Sequence, residues 1–272
     1  MDIDVLKGRI TAAARNAVRL DPKPAGAPLG AGETKFGGRP DLPYGFEWPR
    51  FACEDGETRP LAFLAQINLA DVSAHGAGGL LPETGLLSFF YETETQPWGF
   101  TPDDAGSARV YWFDCAGTLV PTDVPEGAEM LPERGAELCG ELTVPAYEEL
   151  DSECGYEEYC EAVSLLGFDP DAEPAYARLL GWPELIQGPM EEECERVSRG
   201  RDCGTPEGYA DGSGAESADI AAKAREWRLL FCMGSDDDGA MFGDCVNIYF
   251  WMRESDLRER RFEKAHLILQ CA

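Results

Sequence analysis

Apolar runs bounded by glycine and proline recur along the chain and predict β-strands. Three lie in the first half of the chain and three in the second, at residues 61–69, 86–91, 108–114, 227–233, 246–252 and 265–271. Aromatic, β-branched and leucine residues fill these runs, which is the composition of buried strands. The charged segment 254–261, between the last two runs, predicts a short helix.

The first residues have a helical pattern. Their apolar positions recur at helical spacing at Ile3, Leu6, Ile10, Ala14 and Ala17. This spacing predicts an amphipathic N-terminal helix that ends near Asp21 and Pro22. Charged residues interrupt the segment, so we expect no signal peptide and a cytoplasmic protein. No run along the chain is long and apolar enough to predict a membrane span.

The remaining segments differ in character. Residues 22–49 are rich in proline and glycine and predict irregular structure. The segment 123–161 is acidic and predicts a short strand near 142–144 and a helix near 146–166. Residues 200–219 are small and polar, which predicts a flexible loop.

The two halves of the chain resemble each other. Residues 38–45 align without gaps on residues 181–188, and both octets read G-x-P-[DE]-L-x-x-G. In each octet the glycine predicts a tight backbone turn, which the proline stiffens. The three strand candidates that follow each octet keep the same order, with residues 64–69 opposite residues 230–235, which indicates an internal duplication. We therefore predict a single α+β domain over 1–272 with mostly antiparallel sheets and few helices. Its halves would be 33–122 and 178–272, joined by an acidic connector at 123–177.

The same motifs resemble a known family. In the first half they are Lys35-Phe36-Gly37-Gly38, Pro40, Leu42-Pro43, Trp48-Pro49 and Leu64-Ala65-Gln66-Ile67-Asn68. In the second half they are Leu180-Gly181-Trp182-Pro183, Gln187-Gly188, Met241-Phe242-Gly243-Asp244 and Leu267-Ile268-Leu269-Gln270-Cys271. In this order they resemble the YwqG-like family, a bacterial domain of unknown function.

The resemblance implies an α+β protein with two related halves and no established activity. Some relatives look like immunity or accessory proteins of bacterial toxin systems. The chain departs from the family at Cys232-Met233-Gly234, where a Gln-Ile-Asp type strand end is usual.

Charge narrows the classes of partner. The 272 residues include 51 acidic and 23 basic side chains, for a net charge of −28. Such a chain, with no basic stripe, is not expected to bind nucleic acid or an anionic membrane. Between residues 123 and 161 stand 13 acidic residues and one basic residue, Arg134. An acidic surface of this kind favours a basic protein partner. The alternative is a general compositional bias, since the chain has five lysines against 18 arginines.

Cysteines and histidines predict neither a cofactor nor a metal. The ten cysteines form no C-x-x-C pair and the chain has two histidines, so the usual zinc patterns are absent. We expect reduced structural thiols, with disulfides among Cys154, Cys160, Cys194 and Cys203 as the exception to test. The run 236–239 with Asp244 lacks the ligand spacing of a calcium loop.

Nucleophilic catalysis finds little support. The chain has no G-x-S-x-G motif, and neither His75 nor His266 can be paired with a nucleophile from sequence. We predict no catalytic residue. His266 lies in a strand pattern, and we interpret it as a structural residue with a hydrogen-bond partner.

Two groups of residues remain as candidate sites. Polar residues at strand ends could line a ligand cleft between the halves, and they are Gln66, Asn68, Gln187, Asp236 and Asp244. The alternative is that they satisfy turns and caps. A protein-interaction surface would use a loop tryptophan and acidic residues, and they are Trp98, Glu148, Glu149, Asp151, Glu157 and Glu158. The leading hypothesis is a non-enzymatic binding protein, such as one that neutralises a basic toxin. The rival is a small-ligand binder or an enzyme that uses the cleft.

Overall fold

A computed structural model describes residues 2–23, 26, 29–53, 55–76, 79–150, 154–210, 214–243 and 246–272. The strands are β1 (Arg15–Pro22), β2 (Lys35–Phe36), β3 (Asp41–Leu42), β4 (Arg50–Ala52), β5 (Thr58–Pro60), β6 (Ala62–Asn68), β7 (Leu86–Tyr91), β8 (Ala108–Phe113), β9 (Val120–Pro121), β10 (Arg134–Thr143), β11 (Ala177–Leu180), β12 (Trp227–Gly234), β13 (Val246–Arg253) and β14 (His266–Cys271). The helices are α1 (Ile3–Ala13), α2 (Leu69–Ala74), α3 (Tyr156–Leu165), α4 (Glu191–Ser198), α5 (Pro206–Tyr209), α6 (Gly214–Ala224) and α7 (Glu254–Arg258). Four short 3-10 helices complete the set, at Pro102–Asp104, Ala116–Thr118, Tyr147–Glu149 and Phe262–Lys264.

One antiparallel sheet organises the chain. Ten strands follow the order β14-β13-β12-β11-β1-β10-β2-β6-β7-β8, and each pairs antiparallel with its neighbours. The strands β3 with β9 and β4 with β5 form two small ribbons. The predicted α+β class with mostly antiparallel strands and an N-terminal helix is confirmed, and the six predicted strands are present.

The two ends of the sheet share a core. Phe89 of β7 lies 4.4 Å from Phe231 of β12 and 5.2 Å from Phe250 of β13, measured between ring centroids. Because β7 and β13 belong to opposite ends of the strand order, the sheet bends until these ends face each other. All three rings are fully buried. Most of the favourable free energy of folding comes from burying apolar surface of this kind.

One segment, around Trp98 and Gly99, covers the β14 edge of the sheet. The backbone N–H of Leu269 in β14 donates to the carbonyl of Trp98 at 3.0 Å. Beside it, Gly99 adopts φ of 80° and approaches the Leu267 carbonyl so closely that a Cβ atom would lie 1.7 Å from that oxygen. The segment before β8 therefore covers backbone groups that would otherwise be an open edge.

Matching irregularities occur in the two halves. The register shifts between Phe63 and Ala65 in β6 and between Leu229 and Phe231 in β12. After β2, Gly37 has φ of 59°, and at the end of β11, Leu180 has φ of 60°. Each feature stands at the position that the octet and strand alignments place opposite the other.

The N-terminal helix is shorter than predicted. It ends at Ala13, and residues Arg15–Pro22 form strand β1 at the centre of the sheet. The helical spacing of Ala14 and Ala17 led to the wrong prediction that the helix continues to near Asp21 and Pro22. Ala17, Val18 and Leu20 are buried, and β1 pairs with both β10 and β11. Pairing on both edges satisfies the backbone and overrides the local pattern.

Three other segments also differ from prediction. The short strand expected near 142–144 is a ten-residue strand, β10, so the acidic connector contributes to the centre of the sheet. The helix expected near 146–166 begins at Tyr156, after a 3-10 turn at Tyr147–Glu149. The expected loop at 200–219 contains α5 and the start of α6, and its residues 211–213 lie outside the described part. Thr205 caps α5, with proline at its first turn.

Cysteines in the described residues are free thiols. Five of them are buried, at Cys53, Cys154, Cys194, Cys203 and Cys232. Cys160, which sequence alone left open as a disulfide partner, is also free. No helix in the described part of the chain is both long and apolar enough to cross a membrane.

Candidate functional site

A cavity of about 450 Å³ opens between the end of α1, the start of β1 and the turn after β11. It is lined by Ala12, Ala13, Ala14, Arg15, Asn16, Leu80, Leu180, Gly181, Trp182, Arg228 and Leu229. We call it the Arg15 cleft. Alanine, leucine and glycine form most of its wall, so it combines apolar surface with two positive charges, as ligand sites commonly do.

An aromatic ring supports the guanidinium of Arg15. The guanidinium carbon lies 3.4 Å from the centroid of the Trp182 ring, which is a cation–π contact. Trp182 is anchored twice: its Nε1 donates to the Ala13 carbonyl at 2.8 Å and its backbone N–H donates to Oγ1 of Thr143 at 2.9 Å. This side of the cleft is therefore held by both α1 and β10.

The turn that positions Trp182 is strained. Leu180 is buried although its φ is 60°, a conformation that costs a non-glycine residue roughly 1–2 kcal/mol. Gly181 follows with φ of 79°, and a Cβ there would lie 2.6 Å from the Cβ of Ala17. Strained backbone tends to persist where a site requires it. The strain here marks the Arg15 cleft as a functional candidate.

The two arginines of the cleft differ in their partners. Arg228 donates from Nη2 to Glu254 at 2.8 Å and from Nη1 to the carbonyls of Arg225 and Trp227. The Arg15 guanidinium makes no hydrogen bond or ion pair with any described residue, and its Nη1 is shielded from solvent. Burial, followed by the charge of Arg228, lowers the pKa of Arg15 to about 10. Arg15 therefore stays charged at neutral pH and lacks a counter-charge in contact.

Three carboxyl groups, those of Glu191, Glu149 and Glu254, act on the charge of Arg15, and the first two have raised pKa values themselves. Burial, followed by the charge of Glu191, raises the pKa of Glu149 to about 8, although Arg15 opposes this shift. Oε1 of Glu149 is shielded from solvent and has no hydrogen-bond partner among the described residues. Burial also raises the pKa of Glu191, which accepts a hydrogen bond from the N–H of Met190 at 3.2 Å. Burial and the charge of Glu191 thus favour the protonated form of Glu149, which does not neutralise Arg15.

We expect Glu149→Gln to make stability less dependent on pH. The carboxyl titrates near 4.5 in its ordinary state and near 8 in the folded protein. The folded state thus holds more protons between these values, and stability falls as pH rises through this window. The slope of the wild type reaches at most about 1.4 kcal/mol per pH unit. Urea unfolding from about pH 5 to about pH 9 would measure it.

The control for this prediction is Glu148→Gln, which removes an exposed carboxyl beside Glu149. We expect the Glu148 variant to keep the slope of the wild type. Equal slopes for the wild type and Glu149→Gln would contradict a buried, neutral Glu149.

A second cavity, of about 330 Å³, lies where the two halves meet. Its lining includes Gly99 and Arg109 from the first half and Trp227, Arg253 and His266 from the second, and it contains none of the five predicted ligand residues. His266 shares its Nε2 with the Gly99 carbonyl at 3.0 Å, so it has the hydrogen-bond partner that we expected. Burial lowers the pKa of His266 to about 4.

Comparison with known proteins gives a family and no activity. The sequence profile of a family described as a domain of unknown function, DUF1963, matches residues 34–271. The chain belongs to this family. A comparison with curated proteins finds no match.

Membership in DUF1963 agrees with the expected domain of unknown function, and the YwqG-like name stays a prediction. The family match includes Glu149, Trp182, Glu191 and Arg228. Arg15 precedes the matched residues. The Arg15 cleft of this DUF1963 protein therefore joins the matched region to a preceding strand.

Two predicted ligand residues, Gln66 and Asn68, hold the loop before β2 and the start of β3. The Gln66 side chain is fully buried, accepts from the N–H of Asp41 and donates to the Glu33 carbonyl, both at 2.9 Å. Asn68 caps α2 and donates from Nδ2 to the Gly32 carbonyl at 2.9 Å. Their polar atoms are used within the chain, as the turn-and-cap alternative describes.

Gln187 and Asp236, two other predicted ligand residues, do not line the Arg15 cleft. Gln187 is exposed, and its backbone N–H donates to Gln270 at 3.1 Å. Asp236 forms an ion pair with Arg134 and accepts from the N–H of Asp238 at 2.9 Å. Asp244 lies outside the described residues. Within the described part of the chain, no group of three or more His, Cys, Asp or Glu side chains could hold a metal ion.

The predicted interaction residues differ in their exposure to solvent. Trp98 is 43% exposed, as expected for a loop tryptophan. Glu148, Glu157 and Glu158 are exposed. Oε1 of Glu149 is instead shielded from solvent, and the charge of Glu149 acts on the pKa of Arg15. Asp151 lies outside the described residues.

Sequence reasoning missed Arg15, Glu191 and Arg228. The G-x-P octet pointed to Trp182, which we interpreted as part of a turn. Arg15 was hidden because the same segment had a helical spacing. No local feature of the sequence distinguishes Arg15 from Arg19, which stands between Val18 and Leu20.

Proposed function

We propose that this protein binds a small molecule in the Arg15 cleft. The observation that carries the proposal is the guanidinium of Arg15, which lines the cavity, rests on Trp182 and has no partner among the described residues. A partly buried charge without a partner is costly, so a ligand that pairs with it gains affinity. The cavity of about 450 Å³ has the size of a small-molecule site.

Binding fits the cleft better than catalysis. The lining residues that the structure describes include no serine, cysteine, histidine, aspartate or glutamate. These are the side chains that most often act as nucleophiles or general acids and bases. The function proposed is therefore the small-ligand binding that sequence alone offered as an alternative, at a different place.

Ligand-induced stabilisation tests this function. A set of neutral, anionic and cationic small molecules would be screened for a rise in melting temperature and then measured by calorimetry. We expect at least one to bind the wild type and to bind Arg15→Met about tenfold more weakly or worse, since a hydrogen bond to a charged group contributes about 1.5–3 kcal/mol.

The matched control is Arg19→Met, on the same strand. Arg19 is exposed and pairs with Asp21 at 2.9 Å, outside the cleft. Binding should survive this change. If no compound raises the melting temperature, or if binding is the same in Arg15→Met, the proposed function is wrong.

A second candidate function is binding of a basic protein, such as a toxin. It is supported by the exposed acidic residues Glu148, Glu157 and Glu158 around α3, beside Tyr156, which is 58% exposed. An acidic surface with an exposed aromatic ring suits electrostatic capture of a cationic partner. Retention of a basic protein from the host extract at low salt and its release at high salt would support this function. Equal retention by a Glu157→Lys, Glu158→Lys variant would contradict it.

We also infer that the two halves descend from a duplicated unit. Support comes from the paired irregularities: the register shifts at 63–65 and 229–231, and the positive φ of Gly37 and Leu180. In both halves the octet is followed by a three-stranded meander of the same order. Relatives whose halves fail to align at these positions would contradict a duplication.

A further inference from the structure

We infer that the ligand of the Arg15 cleft is a small organic monocarboxylate with an apolar body. This inference rests on the proposed function and names the chemical class of its ligand. It is carried by the charges that line the cleft, by the apolar part of its wall and by the way Trp182 covers Arg15.

The charges favour a ligand with a single negative charge. Arg228 already pairs with Glu254 at 2.8 Å and donates to two carbonyls, so one of the two lining arginines has partners within the chain, and Glu254 pairs in addition with Arg258 at 2.7 Å. Arg15 remains with one positive charge. Glu149 and Glu191 lie near enough to act on its charge. A doubly charged phosphate would exceed the available positive charge. The nearby carboxyl groups, where ionised, would also repel it more strongly than they repel a singly charged ligand.

The geometry of Arg15 favours a carboxylate. Trp182 lies 3.4 Å from the guanidinium carbon and covers one face of this planar group. The edge of a guanidinium carries its N–H donors, in a fork that matches the two oxygens of a carboxylate. Because Nη1 of Arg15 is shielded from solvent, a carboxylate in the cleft would pair with the part of this edge that Nε and Nη2 form, while the ring keeps its contact.

The rest of the wall favours an apolar body. Six lining residues are alanine or leucine, namely Ala12, Ala13, Ala14, Leu80, Leu180 and Leu229. Burying apolar ligand surface against them contributes about 25 cal/mol per Å². Asn16 is the only uncharged polar side chain among the described lining residues apart from the Trp182 indole, whose N–H is already used by Ala13. Few side chains of the described wall could therefore pair with the hydroxyls of a sugar or another polyhydroxy compound.

We expect binding of the carboxylate to be linked to protonation of Glu149. Glu149 faces Glu191, Arg15 and Glu148, and Arg15 faces Arg228, Glu191, Glu149 and Glu254. A bound anion is compatible with a neutral Glu149 and is repelled by an ionised one. Affinity should therefore fall as pH rises above neutrality, by up to tenfold per pH unit for one linked proton. A purely structural role of Arg15 would not produce this pH dependence.

The test measures matched probes by calorimetry at neutral pH. Hexanoate and benzoate are compared with hexanamide, benzamide and phenyl phosphate, on the wild type, Arg15→Met, Arg15→Lys and Arg19→Met. We expect the two carboxylates to bind the wild type and Arg19→Met, to weaken about tenfold or more in Arg15→Met, and to recover in part in Arg15→Lys. Arg15→Lys keeps the charge in case Arg15→Met does not fold.

The outcomes separate this inference from the proposed function. If an amide or phenyl phosphate binds in an Arg15-dependent manner and both carboxylates do not, the ligand class is wrong while the cleft remains a binding site. If carboxylate affinity does not change between about pH 7 and about pH 9, the linked proton and the charge argument are wrong. If neither these probes nor the wider screen yields an Arg15-dependent ligand, both proposals fail.

Discussion

Replacing Phe89 by alanine is expected to lower the free energy of unfolding by roughly 3–5 kcal/mol. Phe89 is fully buried and contacts Phe231 at 4.4 Å and Phe250 at 5.2 Å. It comes from the first half of the chain, and both partners come from the second. Alanine would leave a cavity between the two ends of the sheet, so the loss includes apolar transfer and the contacts across this interface.

Equilibrium unfolding in urea would measure the effect, and Phe113→Ala is the control. Phe113 is half-buried on β8 and contacts Phe46 and Tyr111, all within the first half. We expect its loss to be clearly smaller. If the two variants lose the same stability, the ends of the sheet do not share a core.

Gly99→Ala is expected to destabilise the protein by roughly 2–5 kcal/mol. Two terms add: a non-glycine residue at positive φ costs about 1–2 kcal/mol, and overpacking costs about 1–3 kcal/mol. A Cβ at Gly99 would lie 1.7 Å from the Leu267 carbonyl oxygen, so the segment that covers β14 must move away. The hydrogen bond from Leu269 to Trp98 would then weaken, and the edge of the sheet would open.

Gly45→Ala separates the two terms. Gly45 has φ of 76°, close to the 80° of Gly99, but nothing lies within 4 Å of the Cβ it would gain. Its loss should therefore reflect the backbone term alone, about 1–2 kcal/mol. Thermal or urea unfolding of both variants is sufficient. A loss at Gly99 no greater than that at Gly45 would show that the contact with Leu267 is not tight.

Strands whose own residues form a clear apolar run could be predicted from the sequence. The runs at 86–91 and 227–233 carry enough apolar and aromatic residues, between glycine and proline breaks, to predict their burial without knowing their neighbours. Both are strands in the structure, within one residue of the predicted bounds. The octets also marked local turns correctly, because positive φ at Gly38 and Gly181 is a property of those residues and their neighbours.

Strands that depend on distant partners could not be predicted. Residues Arg15–Pro22 have a helical spacing of apolar positions but pair with β10 and β11, which come more than a hundred residues later in the chain. The acidic strand β10 has few large apolar residues and looked like a connector. Both became central strands because hydrogen bonds to neighbours on both edges were available only in the folded sheet.

The candidate site was the least predictable part. Gln66 and Asn68 looked like ligand residues because they are polar and end a strand. In the folded protein they donate hydrogen bonds to backbone carbonyls of the loop before β2. Arg15 looked like one basic residue among many, and the fold leaves it without a partner beside Trp182. Whether a charged side chain is paired depends on which distant residues reach it.

By itself, the sequence determined the α+β class, six of the strands, the turns of the two octets and the strong negative charge. These depend on residue type and on neighbours within a few positions. Only the tertiary structure decided which strands occupy the centre of the sheet, that its two ends share a core around Phe89, and that Arg15 faces a cavity. Burial and charge pairing join residues far apart in the chain, and their free energies arise only when the chain is folded.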